Sequence, residues 1–433
     1  MTNTESLYQH YLNHRTICTD TRNISQGCLF FALKGEHFDA NTFAAQALTA
    51  GAAFAIIDNP AYQISEQCIL VPDVLTALQE LARYHRKQLN IPVIGLTGSN
   101  GKTTTKELIR AVLAQRYRTF ATKGNLNNHI GVPLSVLALS EDIEIAVIEM
   151  GANHQKEIEL LCTIAQPTHG LITNIGMAHL DGFGGFEGVK KGKAELYAYL
   201  KQHKGTTFIN RDNSYLMEMS TRADLNQVVY YSTSSTDFIS GKLLKTDPFL
   251  ELSWSNGLAS FEINMQLTGS YNFENILAAI CIGQYFKVTP QQINTGLAGY
   301  APTNNRSQIN KTEKNTVICD FYNANPSSMS AALDNLKSLN APNKAVIIGD
   351  MFELGNEAAQ QHQLIAGQAS ALNVQTLIFI GKYFYALKDQ YSAHFFSNPT
   401  EAQAFLQERP ITNALVLLKG SRGMALEQLM PLL

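Results

Sequence analysis

The chain has little of what would mark a secreted, membrane-spanning or nucleic-acid-binding protein. Its 433 residues include six cysteines, Cys18, Cys28, Cys68, Cys162, Cys281 and Cys319, and no two form a CxxC pair. A disulfide scaffold is far denser, so scattered buried thiols in a reducing compartment are expected. No stretch approaches the roughly 18 apolar residues that a membrane span needs. The first residues, MTNTESLYQHYLNHR, carry no apolar signal core. A cytoplasmic protein without membrane insertion is therefore expected. Basic excess is also lacking: net charge is -3, which argues against a nucleic-acid partner. What remains is an ordinary globular composition, 45% hydrophobic and 16% charged, long enough for two to four domains.

Three regions separate by pattern. Residues 1–88 carry short mixed elements, a small-residue helical run from Thr42 to Ala53 and a helix from Val74 to Gln88. Residues 89–302 open after Pro92 with an apolar strand, Val93 to Leu96, and a helix from Thr103 to Arg116. Further apolar strands at Ile143 to Ile148 and Leu171 to Ile175 alternate with helical runs at Lys156 to Ala165 and Gly188 to Leu200. That alternation predicts a parallel sheet covered by helices on both faces. Later the pattern changes: Asn256-Gly257 sits between two alternating segments and predicts a hairpin, and Thr289-Pro290-Gln291-Gln292 predicts a capped helix start. Residues 303–433 return to strands at Val317 to Cys319, Ala345 to Ile348, Leu377 to Ile380 and Leu415 to Leu418, a doubly wound pattern. No internal repeat stands out. The class is α/β, with three domains.

The most informative segment is GLTGSNGKTTTKE, Gly95 to Glu107, placed between a strand and a helix. Gly98 and Gly101 allow backbone N–H groups to turn inward, together with those of Ser99 and Asn100. The following helix adds its positive end at Lys102, Thr103 and Thr104, so the turn suits phosphate oxygens. Lys102 would reach terminal phosphates, and the Thr103 hydroxyl would ligate Mg2+. The strict G-x4-G-K-[ST] pattern misses by one position, because residue 96 is leucine.

Glu149 closes an apolar strand at the sheet end where ligands bind, so it is either a Mg2+ ligand or a solvated strand-end carboxylate. His179 and Asp181 stand in a glycine-rich loop after the next strand. By itself His179 reads as a surface residue. Lys193 shares a helical run with Lys190 and Lys191 and by itself reads as a solvated charge. The glycines at 182, 184 and 185 lack the spacing of a dinucleotide motif.

Ten segments, in order, resemble the Mur ligases: TDTRNISQGCLFFALKGEHFDA, TGSNGKTTTKE, GNLNNHIGVPL, EMGANHQKEIE, NIGMAHLDGFG, KGKAELY, YNFENILAA, DFYNANPSSM, GDMFELG and LKGSRGM. Within the family the resemblance is to members that add D-alanyl-D-alanine. It implies a small UDP-sugar-binding domain, a central ATPase domain and a C-terminal Rossmann-like domain. It makes Lys102, Glu149, His179 and Lys193 catalytic, with Thr103, Glu149, His179 and Lys193 around the metal. Lys193 resembles the family lysine that takes up CO2 as a carbamate and so helps hold a second Mg2+. Asn275 matches the adenine position. Arg306, Asp320 and Tyr322 resemble residues brought to ATP from the C-terminal side. Thr21 and Arg22 match the motif near the uridine, and Asn127 and Asn128 look like muramoyl contacts. Asn323 and Asn325 belong to the YNAN element, which the resemblance implies to be substrate-binding. Lys419, Ser421 and Arg422 resemble the motif that faces the incoming amine. The chain departs from the family at Cys319 and Phe321, where aspartate and serine are common, and at Tyr271, which replaces a common histidine. His362 is given no role, because the spacing to Gly367 is one residue long.

The activity implied is an ATP-dependent amide ligation in peptidoglycan precursor synthesis, and with it cell-wall growth and division. The terminal carboxylate of a UDP-N-acetylmuramoyl-tripeptide takes the γ-phosphate, and the amine of D-alanyl-D-alanine displaces phosphate from the acyl phosphate. A monomer is expected. Two other readings compete: another amino-acid-adding Mur ligase or a folylpolyglutamate synthetase, and, from a different class, a non-ligase phosphate-loop nucleotide switch.

Overall fold

A computed structural model describes residues 3–433. Three main sheets organise it. The first has four parallel strands, Ile17–Cys18, Leu29–Phe31, Phe54–Ile57 and Cys68–Leu70. The small-residue run expected there as a helix from Thr42 is a 3-10 turn, Ala40–Phe43, followed by a six-residue helix, Ala44–Thr49. The chain then turns into the Phe54–Ile57 strand, whose neighbours supply the hydrogen bonds a longer helix would have made.

The helix Val74–Gln88 clamps this first sheet to the middle one. Asp73 caps it, accepting from the N–H of Thr76 at 2.7 Å. Its buried Arg86 donates to the carbonyls of Ala165, Leu89, Ile91 and Gln166. His85 and Tyr11 reach the carbonyls of Leu139 and Leu137 across the same seam. One apolar core accordingly runs from Leu7, Leu29 and Leu78 into Val132, Ile148 and Leu196 of the middle unit.

The middle sheet has nine strands. In it β1 (Val93–Thr97), third from one edge, lies between β2 (Ile145–Glu149) and β3 (His169–Ile172), all parallel. Every residue of β1 and β2 is buried, as expected for strands covered on both faces. Helix α1 (Lys102–Leu113) follows β1, α2 (Phe186–Gln202) follows β3, and α3 (Phe273–Tyr285) packs on α1. The far edge is the hairpin Glu251–Ser255 and Ser260–Asn264, turned at Asn256-Gly257. The Thr289 capping box forms as its sequence predicts.

The third sheet has six strands. In it β4 (Thr316–Asp320) and β5 (Lys344–Gly349) flank β6 (Leu415–Lys419), all parallel, and α4 (Pro326–Ser338) follows β4. The six cysteines are free and buried. Among the described residues no helix is long and apolar enough to cross a membrane.

Candidate active site

The cleft forms where the C-terminal ends of β1 and β2 face the C-terminal end of β4. It has a volume of about 580 Å³. Its floor is the turn after β1. Gly98 and Gly101 have φ of 147° and 75°. A Cβ at residue 98 would lie 2.0 Å from Thr173 Oγ1, and one at residue 101 would lie 2.7 Å from Asn275 Oδ1. Both the backbone angle and the space require glycine. α1 then begins at Lys102 with no side-chain cap, so its first N–H groups face the cleft. Lys102 Nζ donates to the carbonyls of Gly98 and Ser99 at 2.8 and 3.0 Å. Burial lowers its ammonium to about 8, and the Glu149 carboxylate opposes that shift.

Glu149 is almost wholly buried at the end of β2. Its Oε1 accepts from Asn127 Nδ2 at 2.9 Å and from Thr103 Oγ1 at 3.3 Å. Its Oε2 is buried with no hydrogen-bond partner, and Lys106 Nζ stands 3.9 Å away. A buried, unpartnered carboxylate oxygen beside a threonine hydroxyl is a hard-oxygen donor set that suits a divalent cation. Among the described residues no three His, Cys, Asp or Glu side chains converge, so a cation would draw the rest of its ligands from elsewhere.

His179 lines the same cleft, at its rim, with its ring Nδ1 against the carboxylate of Glu353 from the third unit. Lys193 lies one layer behind the wall: its Nζ donates to the Ala152 carbonyl at 3.2 Å and lies 5.0 Å from the Phe183 ring centre. Among the described residues no carboxylate pairs with it. Burial, and then the charge of Lys102, hold its amine well below the ordinary lysine value. The solvated charge that composition predicts is thus a buried amine.

The third unit supplies the opposite wall. Asp320 Oδ2 receives Lys419 Nζ at 2.6 Å, across the register that pairs these residues in β4 and β6. Its Oδ1 accepts from the N–H of Ser307. Arg306 stacks over Tyr322 at 3.9 Å. The Asn325 side chain caps α4 and donates to Asn100 Oδ1 at 2.7 Å, and Asn100 Nδ2 donates to Ser327 Oγ at 3.0 Å. The phosphate turn is therefore hydrogen-bonded directly to the third unit. Asn275 holds Thr105 Oγ1 at 3.0 Å, and the Tyr271 hydroxyl pairs with Ser307 Oγ at 2.8 Å.

Of the residues singled out by sequence, Ser99 to Thr104, Asn127, Asn128, Glu149, His179, Asn275, Arg306, Asp320, Tyr322, Asn323, Asn325 and Lys419 line this one cleft. Gly98 and Lys193 sit just behind it. Asn128 spends its Oδ1 on the N–H groups of Ile130 and Gly131. Thr21 and Arg22 do not line it: they lie on the first unit, where Arg22 pairs with Asp20 at 2.6 Å. Ser421 is buried, and its Oγ accepts from the N–H of Phe352. Arg422 is exposed outside the cleft. Two residues with no assigned role emerge. Lys106 is fully buried, with Nζ 2.6 Å from the Thr122 carbonyl. Its signal was its place one helical turn after Lys102. Glu353 stands in the family-like segment GDMFELG, but nothing in the sequence joined it to His179, because only the docking of two units brings them together.

The Mur ligase middle domain model matches residues 96–283, the Mur ligase glutamate ligase domain model residues 305–422, and the Mur ligase family catalytic domain model residues 14–86. The chain is 37% identical over 428 residues to the UDP-N-acetylmuramoyl-tripeptide–D-alanyl-D-alanine ligase of Bacillus subtilis, covering 95% of this chain and 92% of that one. It resembles the crystal structure of MurF from Acinetobacter baumannii with a TM-score of 0.87 and 32% identity, over 96% of this chain and 92% of the other. MurF from Thermotoga maritima, solved in complex with ADP, shares the fold at a TM-score of 0.86 and 24% identity, over 97% of each chain. The chain belongs to the Mur ligase family.

Proposed function

We propose that this protein uses ATP to join D-alanyl-D-alanine to a UDP-N-acetylmuramoyl-tripeptide in peptidoglycan precursor synthesis. The observation that carries the reading is one cleft in which the phosphate turn, Glu149 with its unpartnered oxygen, and the Arg306–Tyr322–Asp320 wall face one another. The B. subtilis relative bears this activity in its name.

The chemistry follows from the charges. A carboxylate is a poor electrophile, so its oxygen must first be phosphorylated. The tripeptide's terminal carboxylate attacks the γ-phosphorus of ATP, the bond to the bridging oxygen breaks, and ADP leaves. An anion thereby approaches a polyanion. The N–H groups at the start of α1 and the Lys102 ammonium would offset that repulsion and hold the γ-phosphate in line. Thr103 and Glu149 would hold Mg2+, with His179 at the rim. Bound there, the cation supplies further charge neutralisation at the phosphate oxygens. Asn275 would meet the adenine, and Arg306 and Asp320 would meet the nucleotide from the third unit. The amine of D-alanyl-D-alanine then attacks the acyl phosphate carbon, the amide bond forms as the nitrogen loses a proton, and inorganic phosphate departs with its bonding pair and takes up that proton.

Lys193 fits carbamate formation because its amine is buried, has no carboxylate paired with it among the described residues, and is held well below the ordinary lysine value. The amine nitrogen would add to CO2 and lose a proton, which places a carboxylate-like anion behind Ala152, suited to a second Mg2+. This reading also places the enzyme in the cytoplasm as a monomer.

The test is phosphate release with ATP, the UDP-linked tripeptide and D-alanyl-D-alanine, each omitted in turn. All three are expected to be required. Release that ignores the dipeptide would discard the reading in favour of another ligase or a nucleotide switch. Lys102→Ala is expected to cut turnover about a hundredfold or more while the melting temperature holds. Wild-type turnover in that variant would remove the phosphate-turn assignment.

A further inference from the structure

His179 and Glu353 come from different units and meet at the rim of the cleft. Each is a non-glycine residue in the left-handed region, with φ of 54° and 62°. His179 begins the short helix Leu180–Phe183. Glu353 sits in the loop after β5, and the three residues before it are tied down. The Asp350 carboxylate accepts from the N–H groups of Tyr383 and Phe384. The N–H of Met351 donates to His362 Nε2 at 3.0 Å, and that of Phe352 to Ser421 Oγ at 3.0 Å. The third unit's own hydrogen bonds therefore set where Glu353 stands. The two segments pack without slack: a Cβ on Gly355 would lie 2.7 Å from Asp181 Oδ1.

An imidazole has two nitrogens, and a hydrogen bond at one fixes the ring and the role of the other. Here Nδ1 is the nitrogen against the carboxylate, so Nε2 is left for the cleft that the ring lines. The ring belongs to the middle unit and the carboxylate to the third. We infer that Glu353 is a positioning residue, which presents His179 Nε2 to the metal site only when the third unit is seated on the middle one. This inference rests on the metal role given to His179 above. It adds a reason why that site would be complete only in the docked molecule: the phosphate turn meets the third unit through Asn100, and the metal-facing histidine meets it through Glu353.

The experiment measures the affinity of a fluorescent ATP analogue for the full chain in excess Mg2+ and in EDTA. The ratio of the two is the contribution of the metal and needs no turnover. His179→Ala is expected to lower the ratio. Glu353→Ala is expected to lower it about tenfold, the scale of a lost partner behind a metal ligand. Glu353→Gln, whose amide oxygen still accepts from Nδ1–H, is expected to recover most of it. The double variant His179→Ala/Glu353→Ala is expected to match His179→Ala alone, because Glu353 acts through the ring. In turnover, Glu353→Ala should lower kcat and leave KM for the UDP-linked substrate unchanged. A wild-type ratio in Glu353→Ala, or losses that add in the double variant, would overturn the inference while leaving the metal role of His179 intact. A wild-type ratio in His179→Ala would overturn that metal role and this inference with it. If Glu353→Ala fails to fold, Glu353→Asp, which withdraws the carboxylate by one methylene, takes its place with the same expected and overturning outcomes.

Discussion

Buried titratable side chains are the residues whose behaviour composition least foretells. His169 is one. It lies in β3 with its ring 5.0 Å from Phe286 and stacked at 16° on Phe208. Burial lowers its imidazole from the usual 6.5 to about 4. The unfolded chain therefore binds a proton between those values that the folded chain refuses. Stability contributed by the neutral ring is complete above pH 6.5 and declines as pH falls towards 4, by a total on the order of 3 kcal/mol. Urea midpoints at pH 7 and pH 5 are expected to differ by less in His169→Phe than in the wild type. An equal difference would mean that other groups carry the acid sensitivity. Lys106 and Lys193 teach the same lesson. Lys193 stands in a lysine-rich run that reads as solvated, and Lys106 had no reading of its own, yet each is at most 1% exposed. The side-chain types were visible in sequence, but the direction each one points depends on which helix face meets the sheet.

At the scale of elements, local chemistry is most predictive where a turn or cap has one physical solution. The strand–turn–helix from Val93 to Leu113 is such a case, because two glycines with positive φ leave the backbone little alternative. The hairpin at Asn256-Gly257 and the Thr289 capping box are others. The start of α4 obeys the same rules: Asn325 caps it, Pro326 follows, and Ser328 closes the box. The family resemblance gave Asn325 a substrate role, and its cap geometry gives it a structural one. Asn325→Ala is expected to lower unfolding free energy by about 1 kcal/mol, read from urea melts, with Asn325→Asp close to wild type. An unchanged midpoint in the alanine variant would mean that the cap contributes nothing here. Where several solutions compete, sequence misleads. The run from Thr42 to Ala53 has helical composition, but most of it is a 3-10 turn and a short helix, since the next strand must be reached.

For the whole molecule, the cleft is a joint. The segment from Gly299 to Ser307 links the middle and third units, and Arg306 and Ser307 line the cleft. A nucleotide held by the phosphate turn and by these residues would bind only the seated arrangement, and so would stabilise it by mass action. Amide hydrogen exchange in residues 299–307 is expected to slow when Mg2+ and a non-hydrolysable ATP analogue are added. Exchange unaltered by the nucleotide would show that the joint does not sense it. The first unit is not part of this joint, because Arg86 and the shared apolar core fix it to the middle sheet.

By itself, the sequence determined the α/β class, the phosphate turn and most of the residues that line the cleft. The class and the turn follow from short-range rules: apolar runs make buried strands, glycines permit unusual backbone, and helix starts attract anions; the other cleft residues were named by the family resemblance of their segments. Only the tertiary structure decided which groups meet. Lys419, expected to face an incoming substrate, lines the cleft and is also held by Asp320, because β4 and β6 lie side by side with those two residues in register. Glu353 reached His179 across 174 positions of chain. Such pairs are set by how sheets dock, and docking depends on the sum of many contacts rather than on any local pattern.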